Sequence, residues 1–314
     1  MKKVVILGGG VLGTQIGLMC AYYGYDTYFW LRNNDSVDRT KIKIRKYKDL
    51  IFNDLKNYKV NHKKNCVCPN GLIKNIKNFS IEEIDELIKK ATINFDNLIK
   101  LDTNLEIIKN AYIVIEALPE NIDIKIEVYK KINGLLNDDT ILLTNTSTLT
   151  PSMFKKYIKY YNKFLALHFA NRIWRFNTAE VMGHCDTCKL AYRDTVDFAK
   201  SIGMIPIELK NEQPGYVLNS MLIPFLFKAL ELLINCISTI EQIDKTWIIA
   251  MGSPNGPFQI MDIIGIDTMY NISLMDKKSK IEGTVENKIN KLLKEKLDKG
   301  ELGINSKKGF YDYT

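Results

Sequence analysis

The stretch Met1–Asn34 constrains this chain most, through the run Val4-Val5-Ile6-Leu7-Gly8-Gly9-Gly10-Val11-Leu12-Gly13. Four apolar, mostly β-branched residues predict a buried parallel strand. Glycines then turn the chain into an apolar helical stretch, Thr14–Tyr23. Gly8, Gly10 and Gly13 fill the G-x-G-x-x-G spacing. The first allows a tight turn, the second lets a pyrophosphate approach the backbone, and the third brings the helix close to the strand. Backbone N–H groups at the helix start, around Val11, Leu12 and Gly13, then face the phosphates. A glycine-rich turn without a ligand is the rival reading. A strand before and a helix after favour dinucleotide binding.

A chain of 314 residues that is 46% hydrophobic can bury a large core and is expected to form two domains. No continuous apolar run approaches the 18 or so residues of a membrane span, and the longest, Met221–Phe227, stops at Lys228. Lys2-Lys3 precede an apolar run that breaks at Gly8, too short for a signal peptide. These features predict a soluble cytoplasmic protein with no membrane partner. The six cysteines have no regular spacing. Cys66, Cys68, Cys185 and Cys188, with His62 and His184, would make a zinc site only if distant loops met, so reduced thiols and no metal are expected. The net charge of +8 suits a polyanionic ligand such as a nucleotide or coenzyme A, and equally a nucleic acid. The excess is local, at Lys41, Lys43, Arg45, Lys46 and Lys48 and again at Lys56, Lys59, Lys63 and Lys64. A solvated helix face accounts for it, and no nucleic-acid motif accompanies it.

Strands are predicted at Asp26–Leu31, Asn97–Leu101, Tyr112–Ala117, Thr140–Thr144, Phe164–His168, Thr178–Met182 and Ile205–Leu209, with helices at Asp123–Leu136 and Leu190–Ile202. This alternation predicts an α/β architecture, a Rossmann-type doubly wound sheet. Residues 36–90, Lys-rich and helical, exceed what a crossover needs and read as an inserted helical hairpin. After 210 the pattern becomes all-helical. The expected domains are therefore 1–210 and an all-α 211–314, the latter suited to pairing two subunits because Leu222, Leu226, Ala229, Leu230 and Leu233 lie in a helix apolar nearly all round. Where an NAD-binding strand ends in an acid that binds the ribose hydroxyls, this chain has Leu31-Arg32-Asn33-Asn34, with Asp35 farther on. Arg32 there can pair with a 2′-phosphate, so both NAD and NADP remain open as cofactor.

Several segments, in this order and at these spacings, resemble the L-3-hydroxyacyl-CoA dehydrogenase family from end to end. They are GGGVLG at Gly8–Gly13, IEALPEN at Ile115–Asn121, TNTSTL at Thr144–Leu149, LHFANR at Leu167–Arg172 and AEV at Ala179–Val181. QPGYVLN at Gln213–Asn219, SPNGPFQIMDIIGID at Ser253–Asp267 and KKGFYDY at Lys307–Tyr313 follow. Oxidation of a secondary alcohol by hydride transfer needs a base for the hydroxyl proton, and histidine is poised for this near neutral pH. Of three histidines, only His168 falls at the C-terminal end of a predicted sheet strand, where α/β sheets bind ligands. A lone strand-end histidine is more often structural; the surrounding motif reverses that.

The resemblance implies that Glu180 is the carboxylate partner of His168, against the plainer reading of a salt bridge to a lysine. It implies that Ser147 hydrogen-bonds the substrate oxygen and that Asn171 and Asn219 hold the reacting group and the His–Glu pair. Glu120 and Lys125 match positions on the nicotinamide ribose side, and Asn145 of the TNTSTL segment is grouped with the cofactor-binding residues. The Lys-rich hairpin matches the one against which acyl-CoA lies. Where the family continues with proline after the asparagine, this chain has Arg172, followed by Ile173, Trp174, Arg175 and Phe176. Either arginine is placed to bind a carboxylate. The expected activity is NAD(P)-dependent, reversible oxidation of a short-chain L-3-hydroxyacyl-CoA such as 3-hydroxybutyryl-CoA by a homodimer. The alternatives are the same fold acting on a free 3-hydroxy acid of sugar-acid or carnitine type, or a non-enzymatic dinucleotide-binding protein. The intact Ser147, His168, Glu180 and Asn219 argue against the last.

Overall fold

The computed structural model describes residues 1–62, 68–73 and 80–314. β1 (Lys3–Leu7) leads through the glycine turn into α1 (Val11–Tyr22), and β2 (Asp26–Trp30) follows. Then come α2 (Asn34–Asn61), α3 (Glu83–Leu98), β3 (Ile99–Asp102), β4 (Ile113–Glu116), α4 (Ile122–Ile132) and β5 (Ile141–Thr144). β6 (Phe164–Phe169), β7 (Thr178–Met182), α5 (Lys189–Ser201) and β8 (Ile205–Glu208) complete the sheet region. The strands form one sheet of order β3-β2-β1-β4-β5-β6-β7-β8. Pairings from β3 across to β6 are parallel, β7 runs antiparallel to β6, and β8 is parallel to β7. The Rossmann-type doubly wound sheet expected from the sequence is present.

The order reverses between β1 and β4, and α/β sheets bind ligands in such a crevice, beyond the C-terminal strand ends. Val4–Leu7 and Ile113–Glu116 are fully buried, as strands covered on both faces must be. Gly8 has φ +110°, a conformation that only glycine adopts readily, and its N–H donates to Trp30 O at 3.0 Å. A Cβ on Gly13 would lie 2.4 Å from Gly8 O, so the start of α1 closes directly over the turn.

The insertion includes α2 and α3; residues 63–67 and 74–79, with Lys63, Lys64 and Cys66, lie outside the described residues. α2 starts two residues before the expected hairpin because Asn33 caps it, accepting from Ser36 N at 2.9 Å. Thr40, Tyr47, Ile51, Asp54 and Leu55 form its buried stripe. Much of the lysine excess is solvated and paired, as in Lys48–Asp96 at 2.7 Å and Lys59–Asp85 at 2.5 Å. α3 runs to Leu98, past the predicted strand start at Asn97, because pairing with β2 begins only at Ile99 opposite Thr27.

The chain divides into two compact units, Met1–Val217 and Leu218–Thr314. The division falls beyond the expected 210 because Tyr216 packs with Ala166 and Met182 in the sheet unit. The second unit is all-helical, from α6 (Tyr216–Ile234) through α7 (Ile240–Met251), α8 (Pro257–Ile264), α9 (Ile266–Ser273) and α10 (Val285–Asp298). Two buried carboxylates organise it. Asp244 accepts from Phe258 N, Gln259 N and Tyr311 OH at 2.8–3.1 Å. Asp262 accepts from Phe310 N, Tyr311 N and Tyr313 OH at 2.8–3.0 Å, tying the SPNGPFQIMDIIGID and KKGFYDY segments together. Over 18 residues the mean hydropathy of α6 is 1.8, so by length and composition it is apolar enough to span a membrane, although Lys228 and Glu231 interrupt the run and a core helix passes the same test. Leu226, Ala229 and Leu230 are buried in the core of the helical unit.

Candidate active site

β6 and β7 place the central pair. In their antiparallel register His168 stands directly opposite Glu180, so both side chains emerge on one face. Nδ1 of His168 lies 2.9 Å from Oε2 of Glu180, and both residues are 4% exposed. A carboxylate at Nδ1 selects the tautomer with its proton there, leaving Nε2 to accept a proton, and stabilises the ring once it is charged. The other carboxylate oxygen of Glu180 accepts from Val217 N at 2.9 Å. The Tyr216 ring lies flat against the imidazole, with centroids 4.4 Å apart and planes within 12°. Burial, and then the charges of Glu120, Glu180 and Glu116, push the Tyr216 phenol up, so it stays neutral. Tyr216→Leu is expected to lower kcat about 2–10-fold by removing a stacking contact worth ~0.5–1.5 kcal/mol, while Tyr216→Phe retains activity in the same steady-state assay.

The segment after β6 is pinned at two points. Gln15 of α1, fully buried, donates from Nε2 to Asn171 Oδ1 at 2.7 Å and accepts from Arg172 N at 2.8 Å. On the other side Asp54 of α2 accepts from Trp174 Nε1 at 2.6 Å and Arg175 Nε at 2.5 Å, and Arg175 Nη2 also pairs with it. Arg175 is thus committed, which corrects the expectation that it stands ready for a substrate carboxylate. Arg172, with φ +59°, is exposed, and its guanidinium has no partner among the described residues.

A second network lies at the ends of β4 and β5. Glu116, fully buried, accepts at 2.7 Å from each of Leu118 N, Lys125 Nζ, Tyr129 OH and Thr144 Oγ1. Lys125, 1% exposed, also reaches Glu120 at 3.5 Å. Glu120 accepts from Thr146 Oγ1 at 2.5 Å, Ser147 N at 3.0 Å and Thr148 N at 2.8 Å. Burial raises its carboxyl, but bonds from Thr146 and Thr148 and the Lys125 charge outweigh this and hold it below the ordinary carboxylate value. Lys125 therefore sits beneath Glu120 as its support, while the carboxylate itself is half-exposed. Asn145 accepts from Phe169 N at 3.1 Å, linking this loop to the end of β6. The Ser147 hydroxyl makes no hydrogen bond among the described residues. Asn219 lies on α6 in the second unit.

The glycine turn fits a dinucleotide. A Cβ on Gly10 would meet nothing nearer than Ala117 O at 3.9 Å, so the protein's own packing leaves open space there. The first-turn N–H groups of α1 have no intrahelical acceptor. The thiol loop is different. His184 Nε2 is 2.9 Å from Tyr161 O, its Nδ1 accepts from Asp186 N at 3.2 Å, and Lys155 holds Asp186 at 2.6 Å. His184, Cys185 and Asp186 cluster closely enough for a metal, but these partners already occupy the donor atoms of His184 and Asp186.

A family model described as the 3-hydroxyacyl-CoA dehydrogenase NAD-binding domain matches residues 3–212, and one for its C-terminal domain matches residues 215–313. The chain belongs to the 3-hydroxyacyl-CoA dehydrogenase family. It is 29% identical over 316 residues to a probable 3-hydroxyacyl-CoA dehydrogenase of Caenorhabditis elegans, covering 100% of this chain and 93% of that one. To the 3-hydroxybutyryl-CoA dehydrogenase of Clostridioides difficile it is 26% identical, with 99% of each chain covered. Among solved structures it is similar to a diketoreductase described by its catalysis of dicarbonyl compounds, at 39% identity and TM-score 0.82, covering 100% and 99% of the two chains.

As a 3-hydroxyacyl-CoA dehydrogenase family member, the chain is an oxidoreductase acting on CH–OH with a nicotinamide dinucleotide. Sequence reasoning missed Gln15, Glu116, Asp54 and the Tyr216–Val217 contacts. Glu116 carried a signal, an acid closing the apolar run Ile113–Ile115. Gln15 and Asp54 carried none, because their partners lie more than a hundred residues away.

Proposed function

We propose that this chain catalyses reversible oxidation of short-chain L-3-hydroxyacyl-CoA to 3-oxoacyl-CoA, with His168 as general base and Glu180 as its partner. The observation that carries this reading is the 2.9 Å His168–Glu180 contact at the C-terminal end of β6. The bound dinucleotide supplies the hydride acceptor, or the donor in reverse. His168 Nε2 takes the 3-hydroxyl proton, and the imidazolium returns it in reduction. Ser147 and Asn171 stabilise charge on the reacting oxygen. Glu120, braced by Lys125, would hold the nicotinamide ribose when the dinucleotide binds. The protein works as a homodimer in which α6, only 17% buried over its apolar window, is covered by a second subunit.

A second reading is reduction of a dicarbonyl acid that lacks coenzyme A. It is supported by the 39% identity to the diketoreductase over the whole chain and by the uncommitted guanidinium of Arg172. A coupled nicotinamide-absorbance assay with acetoacetyl-CoA beside acetoacetate separates the two. The first reading expects kcat/KM at least about tenfold higher for the thioester, a difference of ~1.4 kcal/mol. The reverse order overturns it.

A further inference from the structure

Cations stand beside the glycine turn, at Lys43, and at the end of β2, at Arg32, where an NAD site would carry an acid. Ser36, Thr40 and Lys43 share one face of α2. Thr40 is buried so close to the turn that a Cβ on Gly9 would lie 1.9 Å from its hydroxyl oxygen. One turn on, Lys43 Nζ donates to Gly9 O at 3.0 Å, which fixes this lysine beside the loop. It makes no ion pair among the described residues. Among the described residues Arg39 bonds only the Ser36 hydroxyl, at 2.9 Å.

The end of β2 completes the picture. Leu31, where a ribose-binding acid would stand, is buried at 2% exposure. Arg32 beside it is exposed and makes no hydrogen bond or ion pair among the described residues. The carboxylate that feels its charge, Glu127, is itself held by Lys131 at 2.5 Å. Asp38 is paired with Lys41 at 3.1 Å. Asp35 lies inside the first turn of α2, not at the strand end.

We infer that the dinucleotide held by this turn is the 2′-phosphorylated form, with Arg32 and Lys43 as the pair that binds the 2′-phosphate. This rests on the dinucleotide reading of the glycine turn and adds which dinucleotide it is. A phosphate monoester carries about −1.5 to −2 charges at neutral pH. A guanidinium meets it with two parallel N–H bonds, and an ammonium adds a point charge. No acid stands at the end of β2 to repel the phosphate or to accept from free ribose hydroxyls.

The test is equilibrium binding of NADPH and NADH to the full chain, by calorimetry and by quenching of tryptophan fluorescence, so that it does not depend on turnover. NADPH is expected to bind at least about tenfold more tightly, with an affinity that falls more steeply with salt. Arg32→Gln and Lys43→Gln are each expected to weaken NADPH about tenfold and to leave NADH within about threefold, as loss of a charge-assisted bond to phosphate predicts. Tighter NADH binding, or equal effects of the variants on both dinucleotides, overturns the assignment while leaving the dinucleotide site in place. Binding of neither overturns the underlying reading of the glycine turn.

Discussion

Replacing His168 by Gln is expected to lower kcat by about 10²–10⁴-fold, the range that a positioned general acid–base group contributes. Glutamine keeps a polar side chain of similar reach facing Glu180 but cannot take a proton at the position of Nε2. Dinucleotide affinity should stay unchanged, because the glycine turn after β1 is built without His168. Binding and turnover must therefore be measured on the same preparation. Unchanged turnover would remove His168 from the chemistry. A parallel loss of dinucleotide binding would mean that the variant had disturbed the sheet edge instead.

Lys125→Met is expected to cost about 3–5 kcal/mol of stability, because it leaves the Glu116 charge buried without its counter-ion. Three neutral donors, from Leu118, Tyr129 and Thr144, remain on that carboxylate and do not balance its charge. Denaturant midpoints of the variant and the parent chain measure the loss. Adding Glu116→Gln should recover most of the loss, since both charges are then gone. A deficit that persists in the double variant would mean that lost packing of the lysine stem, not the charge, sets the cost.

The sheet was legible in the sequence because buried parallel strands read as short apolar runs between turn residues, whereas the pairing of Glu180 with His168 was implied only by the family resemblance. Ile113–Glu116 and Ile141–Thr144 appear in the structure within a residue of their predicted ends. The side-chain clamps were not legible. Gln15 on Asn171, Asp54 on Trp174 and Arg175, and Tyr216 on His168 each join distant stretches. No local period or propensity reports on such contacts. Arg175 illustrates the difference: by composition it is as available as Arg172, and only the fold reveals that Asp54 has taken it. α6 illustrates another. Lys228 ends the continuous apolar run, yet an average over a helix length still passes for a span.

The ladder between β6 and β7 has a consequence for how this scaffold can change. Because His168 and Glu180 are aligned by main-chain pairing, the exposed side chains of Arg172 and Phe176 in the connection between them can be replaced without shifting either one, provided the register holds. On the proposed reading, new substrate preferences can then arise at those two positions while the acid–base couple stays where the two strands put it.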